Sequence, residues 1–242
     1  MAMGGYHDPT QPRLTRAFFA RPVLQVAPEL LGCTLFHAGV TVRLTEVEAY
    51  DGSNDPGSHA FKGPTPRTRV MFGEPGGLYV YFTYGMHWCA NLVCGSPGVA
   101  SAVLMRAGEV VAGLPVARTR RAGASDRDLA RGPARLAVAL GLAGAQNGID
   151  TVAVDSSVVL RAATPSPLPG PLPGPLLGPS PGPLSGWSGD VVRTGPRVGV
   201  GGPGGDAVAY PWRFWLQGEA SVSAYRPVAV RRVKPPVRSA DP

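Results

Sequence analysis

Two glutamates lie two residues apart in a segment with the pattern of a β-strand, VTVRLTEVEAY at residues 40–50. If the side chains alternate strictly, one face of this strand carries Val40, Val42, Leu44, Glu46, Glu48 and Tyr50. A carboxylate on a face that begins as core is costly unless it is paired, hydrogen-bonded or functional. The alternative is that the strand leaves the core at Thr45 and both acids are solvated. The spacing does not choose between Glu46 and Glu48.

A second strand pattern, LYVYFTY at residues 78–84, is rich in aromatic residues. Tyr81 and Tyr84 are three residues apart, so they point to opposite faces of an extended strand. Aromatic residues in a strand usually form core, but a buried tyrosine needs a partner for its hydroxyl. Three tyrosines beside Gly85, at the end of the strand, favour a surface on which another ring stacks.

The sequence gives little support for a metal site or for a catalytic serine. His7 and His37 have no evident partners and are interpreted as surface residues. A metal site would have to be assembled from Glu48, His59, His87 and Cys89. These residues lack a recognised ligand spacing, and no GxSxG motif marks a serine nucleophile. We therefore expect neither a metal nor a cofactor.

The chain is long enough for one domain, since 44% of its 242 residues are hydrophobic. Cys33, Cys89 and Cys94 form no CxxC pair and are odd in number, which indicates reduced thiols. No uncharged apolar run approaches the roughly 20 residues of a membrane helix, and the first residues do not resemble a signal peptide. These features predict a cytoplasmic protein, nucleoid-associated if bacterial, that does not enter a membrane.

The net charge of +7 comes almost wholly from arginine, because Lys62 and Lys234 are the only lysines. A basic surface attracts polyanions and speeds their capture. Many basic proteins bind no nucleic acid, however, and arginine can reflect codon composition. The charge is therefore compatible with DNA binding without establishing it.

The remaining elements mix helices and strands without a βαβ alternation. Thr15 can cap a first helix, and Pro22 suits the first turn of a second one that ends at Gly32. Further helices are predicted at 109–121 and 125–142, the latter restarting at Gly132-Pro133, and further strands at 99–107, 191–200, 212–216 and 228–233. The pattern predicts an α+β fold, a single mixed domain around an antiparallel sheet.

Two segments are irregular. Residues 51–77 form a polar loop rich in glycine and proline, which favours a functional loop. Residues 164–185 contain nine prolines and four glycines, so we expect a disordered insertion that is exposed to solvent. The predicted domain spans 14–234, with flexible termini at 1–13 and 235–242.

Six ordered motifs together resemble the alkyladenine (3-methyladenine) DNA glycosylase family of mammals and many bacteria. The motifs are TEVEAY at 45–50, SHAFKGPTPRTRVMF at 58–72, GGLYVYFTYGMHWCANLV at 76–93, VLMRA at 103–107, RGPARL at 131–136 and RVGV at 197–200. The resemblance covers about residues 14–160 and 187–230 and implies a curved antiparallel sheet flanked by helices. It implies an enzyme that extrudes a damaged purine from duplex DNA and hydrolyses its N-glycosidic bond.

The resemblance also implies roles for single residues. Glu48 matches the general base that deprotonates the attacking water, and Arg106 helps to hold that water together with the carbonyl of Val198. The purine-binding walls and floor correspond to Tyr50, His59, Tyr81 and Asn91. Tyr84 matches the side chain that enters the minor groove and fills the gap left by the extruded nucleotide.

A separate set of residues is expected to contact duplex DNA. The residues expected there are Met86, His87, Arg67, Arg69 and Arg135. His87 departs from the mammalian pattern, which has a tyrosine beside the intercalating residue. The scarcity of lysine predicts a monofunctional enzyme, since cleavage of the DNA backbone usually begins with attack by an amine. We expect a monomer, and the competing interpretation is a non-catalytic nucleic-acid-binding protein that uses the same basic, aromatic surface.

Overall fold

An open antiparallel sheet of eight strands forms the centre of the computed structural model, which describes residues 11–83, 85–163 and 191–228. The strands are β1 (Thr34–His37), β2 (Val40–Tyr50), β3 (Leu78–Thr83), β4 (His87–Val93), β5 (Ala102–Ala112), β6 (Val159–Arg161), β7 (Val192–Gly195) and β8 (Arg213–Leu216). The helices are α1 (Arg16–Phe19), α2 (Val23–Glu29), α3 (Leu114–Arg120) and α4 (Pro133–Leu140). The predicted α+β class with one antiparallel sheet is confirmed. No helix in these ranges is long and apolar enough to cross a membrane.

Strand β2 organises the sheet, whose order is β3-β4-β5-β2-β1-β6. One side of β2 pairs with β5 along nearly its whole length. On the other side the neighbour changes: residues 40–43 pair with β1, whereas Glu46–Glu48 pair with β8. The second half of β2 is therefore enclosed by β5 and β8, which both carry arginines.

The helices cover one face of this sheet and exclude water from it. Leu30, Leu44, Leu92 and Leu136 are fully buried in a common apolar cluster. Burying each such side chain contributes about 1.5–3 kcal/mol. Thr15 caps α1 as expected, since its hydroxyl accepts a hydrogen bond from the backbone N–H of Phe18. This layer fixes the sheet on which the functional residues stand.

The predicted helix at 109–121 begins too early. Strand β5 continues to Ala112, and Glu109 within it pairs with Arg43 of β2 at 2.7 Å. Gly113, at φ 77°, then turns the chain into α3. A charge pair across two strands cannot be recognised from local sequence, so the segment has the composition of a helix but forms a strand.

Other boundaries also differ from the prediction. Strand β4 was not predicted, and it is held by pairing with β3 on one side and β5 on the other. The helix expected at 125–142 forms regular α-helix only after Gly132-Pro133. The strand expected at 191–200 ends at Gly195, before Pro196, and the strand expected at 99–107 begins only at Ala102. The proline-rich segment 164–185, nearly all of the 228–233 strand and most of both termini lie outside the described residues.

Candidate active site

Two irregularities in the pairing of β2 with β5 determine which way the glutamates face. The register shifts between Leu44 and Glu46 and again between Glu46 and Val47. The residues of β2 in the apolar cluster are accordingly Val40, Val42 and Leu44 before the shifts and Val47 and Ala49 after them. Bulges of this kind re-aim side chains and occur beside active sites.

The expectation that Glu46 and Glu48 continue the core face is therefore wrong. The alternative of solvated acids is wrong as well, because both side chains have no exposed surface. They lie on the opposite side of the strand from Val47 and Ala49.

Glu48 begins a row of side chains that crosses four strands of the sheet. It pairs with Leu104 of β5, Leu104 with Asn91 of β4, and Asn91 with Tyr79 of β3. Directly opposed residues in a sheet point to the same face. Antiparallel pairing thus brings residues from four strands along one wall.

This wall and two loops enclose a cavity of about 440 Å³, a size typical of small-molecule sites. Strand residues that line it are Tyr50, Tyr79, Tyr81, Thr83, His87, Cys89, Asn91, Leu104 and Arg106. The loops and the start of α4 contribute Pro56, Gly57, His59, Met71, Pro133, Ala134, Val198, Gly199, Val200 and Gly201. The cavity therefore contains seven residues that the sequence assigned to catalysis, base binding or DNA contact.

The Glu48 carboxylate is held by three groups at the cavity wall. The backbone N–H of Val198 donates to Oε1 at 2.7 Å, and the Tyr50 hydroxyl donates to Oε2 at 2.9 Å. A guanidinium nitrogen of Arg106 lies 3.3 Å from Oε1. Burial and then the charge of Glu48 raise the pKa of Tyr50 well above its usual value, so Tyr50 stays a neutral donor.

Glu46 has a different set of partners. It accepts hydrogen bonds from Arg106 and Arg213 at 2.8 Å each, and from the backbone N–H and hydroxyl of Ser223 at 2.7 and 2.9 Å. Burial opposes the charge on Glu46, but Arg106 and Arg213 lower its pKa overall. Its oxygens are occupied by structural partners, whereas the partners of Glu48 line the cavity.

Arg106 connects the two acids. Its Nε donates to Glu46, and the other side of the guanidinium approaches Glu48. Burial would lower the pKa of Arg106, yet Glu48 and Glu46 more than offset that effect and raise it. Arg106 is therefore a fixed cation at the cavity wall.

Aromatic rings form the opposite part of the cavity. His59 contacts Tyr81 edge-on, with ring centroids 4.7 Å apart, and Tyr79 stacks beside Tyr81 at 5.4 Å. The Arg67 guanidinium lies 5.0 Å from the centroid of Tyr81. Burial and the charge of Arg67 both lower the pKa of His59, so its ring is neutral at neutral pH.

Comparison with known proteins agrees with this geometry. The family model for methylpurine-DNA glycosylase matches residues 17–220. A relative in Streptomyces avermitilis, named "Putative 3-methyladenine DNA glycosylase", is 52% identical over 93% of this chain and 97% of its own length. Relatives with the same name in Frankia casuarinae and Cutibacterium acnes are 51% and 43% identical; they cover 87% and 85% of this chain and 92% and 96% of their own length.

The chain belongs to the methylpurine-DNA glycosylase family. The resemblance seen in the six motifs is confirmed. The protein is a DNA glycosylase, a hydrolase of N-glycosyl bonds whose substrate is DNA. The competing interpretation, a nucleic-acid-binding protein without catalytic activity, is wrong.

In this methylpurine-DNA glycosylase, one buried ion pair escaped sequence reasoning. Arg197 donates to both carboxylate oxygens of Asp55, and neither side chain is exposed. Arg197 also donates to the carbonyls of Ala49 and Gly204, at 2.9 and 2.7 Å, and its guanidinium lies 4.5 Å from the Tyr50 ring centroid. The only signal was the RVGV motif, in which Arg197 had been given no role.

The predicted DNA-contacting residues of the glycosylase are exposed. Met86 has two thirds of its surface accessible, and Arg67, Arg69 and His87 are exposed as well. Arg135, on α4, is exposed and lies 3.9 Å from Asp128. Tyr84, the predicted wedge, lies outside the described residues.

His37 and Cys33 are both buried in the fold. The interpretation of His37 as a surface residue is wrong: it is buried, and its Nδ1 lies 2.9 Å from the carbonyl of Leu140. Burial raises the pKa of Cys33 to about 12, with a weaker opposing hydrogen bond. In the part of the chain that the structure describes, no three His, Cys, Asp or Glu side chains are grouped as a metal site requires.

Proposed function

We propose that this DNA glycosylase extrudes alkylated or deaminated purines from duplex DNA and hydrolyses their N-glycosidic bond with a water activated by Glu48. The substrate class comprises 3-methyladenine, 7-methylguanine, hypoxanthine and ethenoadenine. The observation that supports the proposal best is a fully buried carboxylate whose three partners, Tyr50, Val198 and Arg106, all line one aromatic cavity.

An extruded purine fits the aromatic part of this cavity. Tyr50 on one side and His59 with Tyr81 on the other offer ring surfaces for stacking. Stacking favours electron-poor, alkylated purines, because they interact more strongly with tyrosine rings. Unstacking from the duplex costs a few kcal/mol and costs least for damaged bases, which adds selectivity.

Glu48 would act on the sugar side of the bound base. As the C1′–N9 bond breaks, its electron pair leaves with the base and positive charge develops on the deoxyribose. The carboxylate stabilises that charge, and the water held among Glu48, Arg106 and the Val198 backbone attacks C1′ and gives its proton to Glu48. The products are a free base and an intact abasic site.

Asn91 is the proposed floor of the base pocket. Its amide nitrogen donates to the carbonyl of Tyr79 at 3.1 Å, which fixes the side chain against the wall. A fixed amide at this position crowds the 2-amino group of a normal guanine. Unmodified guanine is thereby disfavoured relative to purines that lack this group.

Contacts with the duplex would come from the rim of the cavity. Met86 lies in the turn that follows β3 and His87 is the first residue of β4, and we propose that both approach the groove together with Tyr84. Arg67, Arg69 and Arg135 would contact phosphates. Lys62, the one lysine in the described ranges, does not line the cavity, which supports a monofunctional enzyme without a Schiff-base step.

A single oligonucleotide assay tests the mechanism. A duplex with one hypoxanthine is treated with wild type or with Glu48→Gln, with and without a final alkali step. We expect strand breaks only after alkali, and a single-turnover rate about 10²–10⁴-fold lower for Glu48→Gln, which keeps the shape of Glu48 but cannot accept the proton. Equal excision by both proteins would exclude Glu48 as the base, and breaks without alkali would contradict a monofunctional enzyme.

A further inference from the structure

The buried charges at the cavity wall balance, and Arg67 adds an exposed positive charge beside them. Glu46, Glu48 and Asp55 are paired with Arg106, Arg213 and Arg197. Within the described ranges, Arg67 has no carboxylate at ion-pair distance. Its positive charge instead lies over the ring of Tyr81, which lines the cavity.

We propose that Arg67 is a specificity-determining residue that disfavours cationic bases and favours neutral ones in the cavity. The inference rests on the proposed function, since it concerns which damaged purine that site excises. Arg69, two residues further on, is exposed like Arg67 but makes no such contact with a ring of the cavity among the described residues.

The geometry places the charge within reach of a bound base. Arg67 is 5.0 Å from the Tyr81 ring centroid, and a base stacked on this wall lies within about 7 Å of the same centroid. The separation of charge and base is then about 10 Å, comparable to the Debye length at physiological salt.

The positive charge of Arg67 has opposite effects on the excision of cationic and of neutral damaged bases, because the two differ in charge before the bond breaks. A base such as 7-methylguanine is cationic in DNA and leaves as a neutral molecule, so Arg67 repels it when it binds. Hypoxanthine is neutral in DNA and accumulates negative charge as it takes the electron pair of the C1′–N9 bond, so Arg67 stabilises its departure. Burial, and to a smaller extent the charge of Arg67, lower the pKa of the neighbouring His59.

The test is a ratio of excision rates. Two duplexes of identical sequence carry one 7-methylguanine or one hypoxanthine. Single-turnover rates are measured with enzyme well below saturation, so that they include binding and report kcat/KM, and they are corrected for spontaneous depurination. For Arg67→Gln we expect the ratio of 7-methylguanine to hypoxanthine excision to rise about fivefold, a size typical of one screened charge. Arg67→Lys, which keeps the charge, should hold the ratio within about twofold of wild type.

Arg69→Gln is the matched control, because it removes a neighbouring arginine that we propose to contact only phosphate. It should slow both excisions equally and leave the ratio unchanged. An unchanged ratio for Arg67→Gln, whether or not both rates fall, would overturn the inference and leave Arg67 as a phosphate contact. A wild-type enzyme that releases neither base would instead contradict the proposed function itself.

Discussion

At the scale of single residues, two glutamates of the same strand have different roles because their partners differ. Glu46 holds Arg106, Arg213 and Ser223 and thereby ties the segment after β8 to the sheet. Glu48 is bound by groups that line the cavity. The distinction rests partly on contacts between residues 150 or more positions apart, such as Glu48 with Val198 and Glu46 with Ser223, so no local pattern contains it.

The partners of Glu46 make it a pH-dependent stabilising residue. The pKa of Glu46 in the folded protein lies below the ordinary value of 4.5. The stability that ionised Glu46 adds to the folded state is therefore fully present above pH 4.5, and it is lost as the pH falls through the folded-state pKa. We expect Glu46→Gln to lower the free energy of unfolding by about 3 kcal/mol at pH 7, because two buried arginines lose their counter-charge. The deficit should shrink below pH 4.5, as measured by urea denaturation across that range.

Glu74→Gln is the control for this series. Glu74 is about two thirds exposed and lies 4.0 Å from Arg16, so its pair is weak. Its substitution should leave the free energy of unfolding unchanged at every pH. A deficit for Glu46→Gln that stayed constant down to pH 3 would show that the lost contacts are not those of the ionised carboxylate.

At the scale of elements, the sequence predicts the strands that carry the site but not the register in which they pair. The strand at 40–50 and the tyrosine strand that follows were predicted nearly to the residue, because apolar and β-branched residues dominate them. The register shifts beside Glu46 reverse the faces of β2, and nothing in VTVRLTEVEAY marks them. Gly108 of β5 lies beside these shifts, and a Cβ at this position would clash with the carbonyl oxygen of Arg43.

Site residues that lie within a family motif could be predicted from the sequence. Site residues that depend on an ion pair between distant segments could not. Motif matching singled out Arg106 and Tyr81, which line one cavity, and Glu48, which is bound by groups that line it. It gave no role to Arg197 and Asp55, which are 142 residues apart and meet only when two loops pack together. Such a buried pair needs the three-dimensional arrangement of both loops to be recognised.

This pair joins the loop after β2 to the segment that supplies Val198, so it should be needed for both stability and chemistry. Asp55→Asn leaves Arg197 buried with an uncompensated charge, and we expect it to destabilise the protein by about 3–5 kcal/mol. Arg197 packs on Tyr50 and precedes Val198, so its displacement should also shift these two hydrogen-bond donors to Glu48. We therefore expect the excision rate at 10 °C to fall about tenfold. Urea denaturation and single-turnover excision measure the two effects.

The exposed pair of Arg118 and Asp126 provides a matched comparison. It has the same two-fold hydrogen bonding, at 2.9 and 2.7 Å, but both side chains are about half exposed. Asp126→Asn should change neither stability nor excision measurably, because water compensates for the lost contact. Equal effects of the two substitutions would mean that burial of the Asp55 pair has no special importance.

At the scale of the whole molecule, the excess of arginine is distributed unevenly between structure and surface. Arg106, Arg197 and Arg213 are buried and neutralised by acids within the fold, so they add nothing to the outer field. Apart from Arg43, the other arginines of the described residues are at least partly exposed. That distribution suits a protein that must approach the phosphates of duplex DNA from outside.

Phosphate contacts make a quantitative prediction for binding. If Arg67, Arg69 and Arg135 each neutralise one phosphate, the affinity for a hypoxanthine duplex should fall about 40-fold between 50 and 200 mM salt, because condensed counterions are released. Measured with the inactive Glu48→Gln protein, the logarithmic salt slope should become shallower by about one for Arg69→Gln and again for Arg135→Gln. Arg118→Gln removes an equally exposed charge that is already paired with Asp126, and its slope should equal that of the parent. A parent affinity that is flat across this salt range would contradict phosphate contact by any of the three arginines, and the basic surface would then need another explanation.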